Sequence, residues 1–343
     1  IDLVPHYEKG KYDVALLHLD QQCFEKSLWE RGKGSLYRHV NSVVKDIPKI
    51  VIMHGTPYYP ESFDSDIFKC KCGEIYVRDL KGLKKAEKDA TKIGEVLDKK
   101  EEDLYSLCSK CGGKSLTGKN YTEDQVNMSS KLIKKFHKAT EESAYIIFNS
   151  KKAAKQWGIT DENKGKAIWH GLNPDDWVDL PKEPRVVTMI SPGGLDKYYD
   201  RTFLRAVKEE LQAREIYHCH ITVDVQFKSF DEYKEFLGRS LIYFNPTLES
   251  PMPRSRTEAM LSGCCVVTTP HQDADMFIDN GENGIIVHRS PTYVADVIEG
   301  LINNYKVAVE MGQKGKKTAQ KIFNKERFEN EWREVLEKLT TKK

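Results

Sequence analysis

The sequence has no apolar run approaching the roughly 18 residues that a membrane-spanning helix requires, so integral membrane placement has no support. An excess of one charge is also missing. Lys and Arg number 54 against 52 Asp and Glu, and a formal net charge of +2 supplies no global field for nucleic acid or an anionic membrane, although Lys-rich local segments keep such partners open. The chain opens at Ile1 without Met or a signal-like apolar segment, which points to a trimmed or incomplete N-terminus and gives secretion no support. No internal repeat or low-complexity tract stands out. The 8 cysteines are unevenly clustered in a long chain, which suits a reducing compartment better than a disulfide framework. The expected location is the cytoplasm, with peripheral membrane attachment left open.

What is present is enough chain, 343 residues, for two domains with separate cores, and a composition of 39% apolar and 31% charged residues suited to a polar globular protein. Tyr12 to His18 and Lys49 to Met53 read as buried strands, each delivering a histidine, His18 or His54, to its carboxyl end. Helical patterns cover Arg38 to Val44 and Lys131 to Ala144, a short strand follows at Tyr145 to Phe148, and Asn149 and Ser150 can cap a helix over Lys151 to Trp157. Residues 1–180 form the expected first domain. In 181–322 the alternation is cleaner: strands at Val186 to Ile190, Ile216 to Val225, Leu241 to Phe244, Cys264 to Thr268 and Gly284 to Val287, helices at Thr202 to Gln212 and Phe230 to Leu237, then closing helices. Regular alternation implies an α/β fold with parallel sheets. The last stretch, 323–343, is a helix expected to pack back on the first domain.

An insertion over residues 68–121 interrupts the first domain. Cys70, Cys72, Cys108 and Cys111 form two thiol pairs, each followed by Gly, and four thiolates could close a tetrahedral structural zinc site. Reduced, solvent-near thiols are the alternative. Between the pairs, apolar residues from Leu83 to Leu107 recur at helical steps beside a charge run that reads as a solvated face.

The most informative stretch is Leu241 to Val287. A buried strand runs into a loop carrying Glu249, Pro251, Pro253, Arg254, Ser255 and Arg256, then into a short helix around Glu258 to Leu261. A strand, a loop and a helix start place backbone N–H groups and a positive dipole end at the carboxyl edge of a parallel sheet, where phosphorylated ligands bind. Two carboxylates bracketing the loop suit vicinal hydroxyls, since each can accept from two at once. Arg254 and Arg256, with Lys197 and Arg201 after the Pro192-Gly193-Gly194 turn, could converge on a diphosphate, and Gly193 and Gly194 would let backbone approach it closely.

These residues resemble retaining GT-B glycosyltransferases, especially the family 4 group: the paired Glu, the EAM and VVTT segments and GENGIIV carry the specific part. Weaker likeness extends to Tyr12–His18, Ile50–Thr56, Ile146–Ile159 and His170–Trp177. The resemblance implies two Rossmann-like domains facing each other across a cleft, with a nucleoside diphosphate sugar, most simply a UDP- or GDP-sugar, held mainly by the second. It implies that Glu258 holds the ribose, that Glu249 holds the transferred sugar, and that His54 and Lys197 stand near the reaction. Arg254, Ser255, Gly193, Gly194 and Arg201 would complete the donor site. No catalytic metal is implied. The acceptor stays open among glycan, glycolipid and nucleic acid, and so does the oligomeric state. Departures from the pattern are an extra residue between the two Glu, and Pro192 where the neighbouring loop normally has Arg.

Overall fold

Short β-branched runs alternating with amphipathic stretches build two parallel sheets in the computed structural model, which describes residues 7–24, 33–57, 67–69, 75–77, 123–190, 199, 201–221, 227–247, 250 and 252–341. The first part contains β1 (Ala15–Asp20), α1 (Lys33–Val43), β2 (Lys49–His54), the hairpin β3 (Ile67–Lys69) and β4 (Ile75–Val77), α2 (Glu123–Ala139), β5 (Tyr145–Phe148), α3 (Lys151–Gln156) and β6 (Gly165–Ala167). Strands β1, β2, β5 and β6 form one sheet in that order, all parallel.

After a linker come β7 (Glu183–Met189), α4 (Arg201–Ala213), β8 (His218–Ile221), α5 (Phe230–Arg239), β9 (Ser240–Asn245), α6 (Arg254–Leu261), β10 (Cys265–Thr268) and β11 (Ile285–Ile286). Three helices close the chain: α7 (Pro291–Asn303), α8 (Tyr305–Ile322) and α9 (Lys325–Thr340). The second sheet runs β11-β10-β9-β7-β8, again parallel throughout, with β9 and its six buried residues at the centre. No helix among the described residues is long and apolar enough to cross a membrane.

Why the central strands read as unbroken apolar runs follows from their burial on both faces. Val186, Phe244 and Val267 face α4 and α7, while their neighbours Val187, Tyr243 and Val266 face the opposite layer with Met260 and Phe323. Each fully buried aliphatic or aromatic side chain of this kind contributes about 1.5–3 kcal/mol. The first sheet is covered likewise. Leu17, Val51, Ile146 and Phe148 pack with Phe136 and Trp157, and the other face, Ile50, Tyr145 and Ile147, packs with Val335, Trp332 and Leu336 of the last helix.

The two sheets are joined by a carboxylate. Asp273, fully buried in the loop after β10, accepts from the backbone N–H groups of Lys151 (2.6 Å) and Lys152 (2.9 Å), the Ser150 hydroxyl (3.1 Å) and the Trp169 indole (2.7 Å). Ser150 is the N-cap of α3, as its place in the sequence suggests, and Asp273 satisfies the donors that Ser150 leaves over.

Several boundaries differ from the sequence reading. Helix α6 starts at Arg254, four residues before Glu258, because Pro253 at φ −61° sets the helical entry and donates no N–H. Helix α2 begins at Glu123 and ends at Ala139, and β1 begins at Ala15. The amphipathic stretch from Leu83 to Leu107 and the four insert cysteines lie outside the described residues.

Candidate active site

Helix α6 is buried from Ser255 to Leu261, polar residues included. Burying a polar group without a partner costs roughly 1–3 kcal/mol or more, so each requires a bond. Four successive side chains find theirs on different elements. The Tyr243 hydroxyl donates to Ser255 Oγ at 2.7 Å, the Arg256 guanidinium meets His271 Nε2 at 2.6 Å, Thr257 Oγ1 lies 3.0 Å from His170 Nε2, and Tyr233 donates to Glu258 Oε2 at 2.8 Å. An apolar helix would hold this position more cheaply. The polar run therefore points to a site.

Glu258 is the only acid in α6, and its two oxygens are divided between unlike partners. Tyr233, on α5, is fully buried; Arg254 Nε, which reaches Oε1 at 2.9 Å, belongs to a side chain that is 63% exposed. Burial raises the Glu258 pKa, against the lowering pull of Tyr233 and Arg254. An i,i+4 ion pair exposed on both sides contributes about 0.5 kcal/mol or less, and Arg before Glu is the weaker order along a helix; here only the Arg254 side is exposed. The N-cap, Pro253, offers no side-chain bond, and the first turn holds no acid but two arginines. Cations at that end oppose the helix dipole, so the arrangement favours an anion.

Arg256 does not reach outward as the sequence suggested. It is fully buried, with the guanidinium stacked 4.7 Å over Phe277, and burial pushes its pKa down to about 9. Its role in the fold is to fasten α6 to the loop after β10. His170 lies in the linker and stacks on Phe323 at 5.3 Å; burial, with Arg256, Arg254 and Arg327 nearby, drives its pKa down to about 3 and keeps it neutral.

Near the carboxyl edge of the first sheet the two anticipated histidines meet: His54 ends β2 as expected, whereas His18 lies two residues inside β1, which runs on to Asp20. His18 Nδ1 and His54 Nε2 are 2.9 Å apart, the rings stacked at 5.2 Å and 7°. Burial lowers both pKa values; for His54, the neighbouring His18 lowers it further and Asp20 opposes. Gly55 follows at φ +80°, a conformation that glycine adopts without strain, and its carbonyl accepts from Trp157 Nε1 at 3.1 Å. The chain thus turns sharply behind His54. A neutral imidazole pair can accept a proton.

Of the residues anticipated for the site, the structure brings Arg254 and Glu258 together, seats Ser255 beside Tyr243, and pairs His54 with His18. Glu249, Lys197, Gly193 and Gly194 lie outside the described residues; Arg201 opens α4, its side chain undescribed. Cys70, Cys72, Cys108 and Cys111 are likewise outside. Among the described residues no group of three or more His, Cys, Asp or Glu is placed to hold a metal. Tyr233, Asp273 and His170 were not anticipated. Their partners are distant in sequence, and no local spacing announces them.

Residues 207–318 match the family described as glycosyl transferases group 1. That segment runs from α4 to α8 and contains all of α6, with Tyr233, Arg254 and Glu258. No curated protein matches the chain. Among solved structures, the chain is similar to sucrose-phosphate synthase from Thermosynechococcus elongatus, at 13% identity over 97% of this chain and 100% of that one, TM-score 0.52. It is similar also to TarM of S. aureus, at 13% identity over 94% of this chain and 54% of that one, TM-score 0.55. Anabaena HepE, solved with UDP and glucose, is 14% identical over 61% of this chain and 67% of that one, TM-score 0.50. At such identities the likeness concerns the fold, which is the GT-B arrangement of α/β, parallel-stranded glycosyltransferases.

Proposed function

We propose that the chain is a retaining, family 4-like glycosyltransferase that moves a hexosyl group from a nucleoside diphosphate sugar to an acceptor hydroxyl. The observation that carries this reading is Glu258. It is a buried carboxylate, held by Tyr233 and lying one turn inside a helix whose start favours anions, within the segment that matches group 1 glycosyl transferases. Glu258 would accept from the ribose hydroxyls, and Arg254, Ser255, Gly193, Gly194 and Arg201 would meet the diphosphate. Glu249 would hold the transferred sugar. Anabaena HepE and S. aureus TarM were solved with UDP, which makes a UDP-sugar the first donor to try and a GDP-sugar the second.

In the proposed reaction, the bond between the sugar's anomeric carbon and the diphosphate oxygen breaks. The acceptor oxygen bonds to that carbon on the same face, and the acceptor proton passes to the departing phosphate. Negative charge grows on the leaving group, where Lys197 and Arg254 would lower the barrier. His54, neutral and paired with His18, would stand on the acceptor side. No step requires a metal, and configuration is retained. The Cys70, Cys72, Cys108 and Cys111 set keeps its reading as a structural zinc site, which metal analysis of the purified protein tests. A cytoplasmic location agrees with the absence of a disulfide-like cysteine pattern.

Incubation with UDP-, GDP- and ADP-sugars, followed by NMR of the products, is the test. Release of nucleoside diphosphate with a product of unchanged anomeric configuration supports the reading. Binding without turnover would identify a GT-B binding protein instead.

A further inference from the structure

The two partners of Glu258 differ in how they can be lost. Tyr233 has no exposed surface and reaches Oε2 from within the core, among Tyr243, Met260 and Phe323. It cannot move without opening that core. Arg254 reaches Oε1 from the solvent side, 63% exposed, through its Nε alone. Its exposed side chain can swing away by rotating about its own bonds. Its pair with Glu258 is also the weaker kind: the cation precedes the acid along the helix, and it stands at the helix's positive end, where the N-cap, Pro253, makes no side-chain cap bond.

An anion arriving at that end gains the guanidinium and the positive end of the helix dipole together. The loss to Glu258 is a single charge-assisted bond at Oε1, and a ligand hydroxyl can replace it. Both sides of the exchange gain a partner.

We infer that Arg254 is an exchangeable cover on Glu258: a nucleoside diphosphate draws the guanidinium off Oε1 with its phosphates, and the oxygen released accepts a hydroxyl of the same ligand's ribose. This rests on the reading of Glu258 as the ribose carboxylate. The exchange makes phosphate and ribose recognition one event. A nucleoside without phosphates must compete with Arg254 for Oε1, whereas a nucleoside diphosphate recruits it. Arg254 therefore acts with opposite signs on the two ligands, opposing the nucleoside and favouring the diphosphate. A cation that only meets phosphate would leave nucleoside affinity alone, and one that only orders the helix would change both ligands alike.

The experiment is isothermal titration of the full chain and its Arg254→Ala variant with UDP, GDP and ADP and with uridine, guanosine and adenosine. Arg254 is exposed enough that its truncation keeps the fold, which a matching thermal midpoint verifies. For the base that the wild type prefers, the variant is expected to bind the diphosphate about tenfold more weakly and the nucleoside more tightly by about twofold or more. The second figure has the release of a solvent-exposed helical ion pair as its lower bound, since the Glu258 side of this pair is buried. Nucleoside binding that is unchanged or weaker in the variant, with wild-type diphosphate binding intact, overturns the exchange alone. Absence of diphosphate binding by the wild type overturns both the exchange and the donor reading beneath it.

Discussion

The Tyr233 hydroxyl stands 2.8 Å from Glu258 Oε2, and both groups are buried. The phenol is the donor, which leaves the carboxylate aimed along α6 with only Oε1 facing an exposed partner. Tyr233→Phe removes the donor and leaves an acceptor stranded away from water. The expected cost is about 1–3 kcal/mol of stability near neutral pH, measured by urea unfolding. A change within error would mean that Glu258 is not held by this bond.

Burial raises the Glu258 pKa above its ordinary value of 4.5. The sign follows from linkage: the native state binds this proton more tightly than the unfolded chain. Its contribution is fully present below 4.5 and is lost as pH rises through the native value. Relative to wild type, Glu258→Gln should therefore gain stability as pH rises through that window. Denaturation midpoints of the two proteins across the range give the answer, and a constant difference would contradict the assignment.

How much of this was legible in the sequence depends on the range of the interaction. The apolar runs at Tyr145–Phe148 and Leu241–Phe244 gave their strands because two-face burial demands apolar residues at every position. Ser150 was legible as a cap because capping is local. The start of α6 was misplaced because Glu258 and the apolar residues after it resemble a beginning, whereas the helix opens at Arg254, just after the N-cap Pro253. Arg256 was misread for a related reason: a loop arginine looks like a phosphate ligand, and only the fold shows it buried against His271 and Phe277. Tyr233 and Asp273 stayed hidden because their partners come from other elements, 25 and more than 100 residues away.

Asp273 joins the sheets through bonds that need its charge. Asp273→Asn keeps the shape but offers one acceptor oxygen where two are used, and turns an NH2 group toward one backbone donor and one side-chain donor: Lys152 N–H and Ser150 at the Oδ1 place, or Lys151 N–H and Trp169 at the Oδ2 place. A loss of about 2–4 kcal/mol is expected in chemical denaturation. Trp169, which donates to the same carboxylate, should report the change in its fluorescence. Equal stability of variant and parent would show that the contact does not bind the sheets.

Two helical glycines separate close packing from helix propensity. A Cβ on Gly312, in α8, would lie 2.3 Å from the Gly263 carbonyl oxygen, whereas one on Gly300, in α7, meets nothing within 4 Å. Gly312→Ala is expected to destabilise by about 1–3 kcal/mol, because backbone must shift to admit it. Gly300→Ala is expected to stabilise by about 0.4–1 kcal/mol. Thermal unfolding of both variants decides the matter; the same sign for both would contradict the packing described for α8.

The donor reading turns on whether Glu258 meets a nucleotide sugar. Titration calorimetry of the wild type and Glu258→Ala with UDP-glucose, GDP-mannose and ADP-glucose tests it most directly. At least one of these should bind the wild type, and its affinity should fall by about tenfold or more in the variant, the loss of a charge-assisted ribose contact. No binding by the wild type, or equal binding by both proteins, would contradict it.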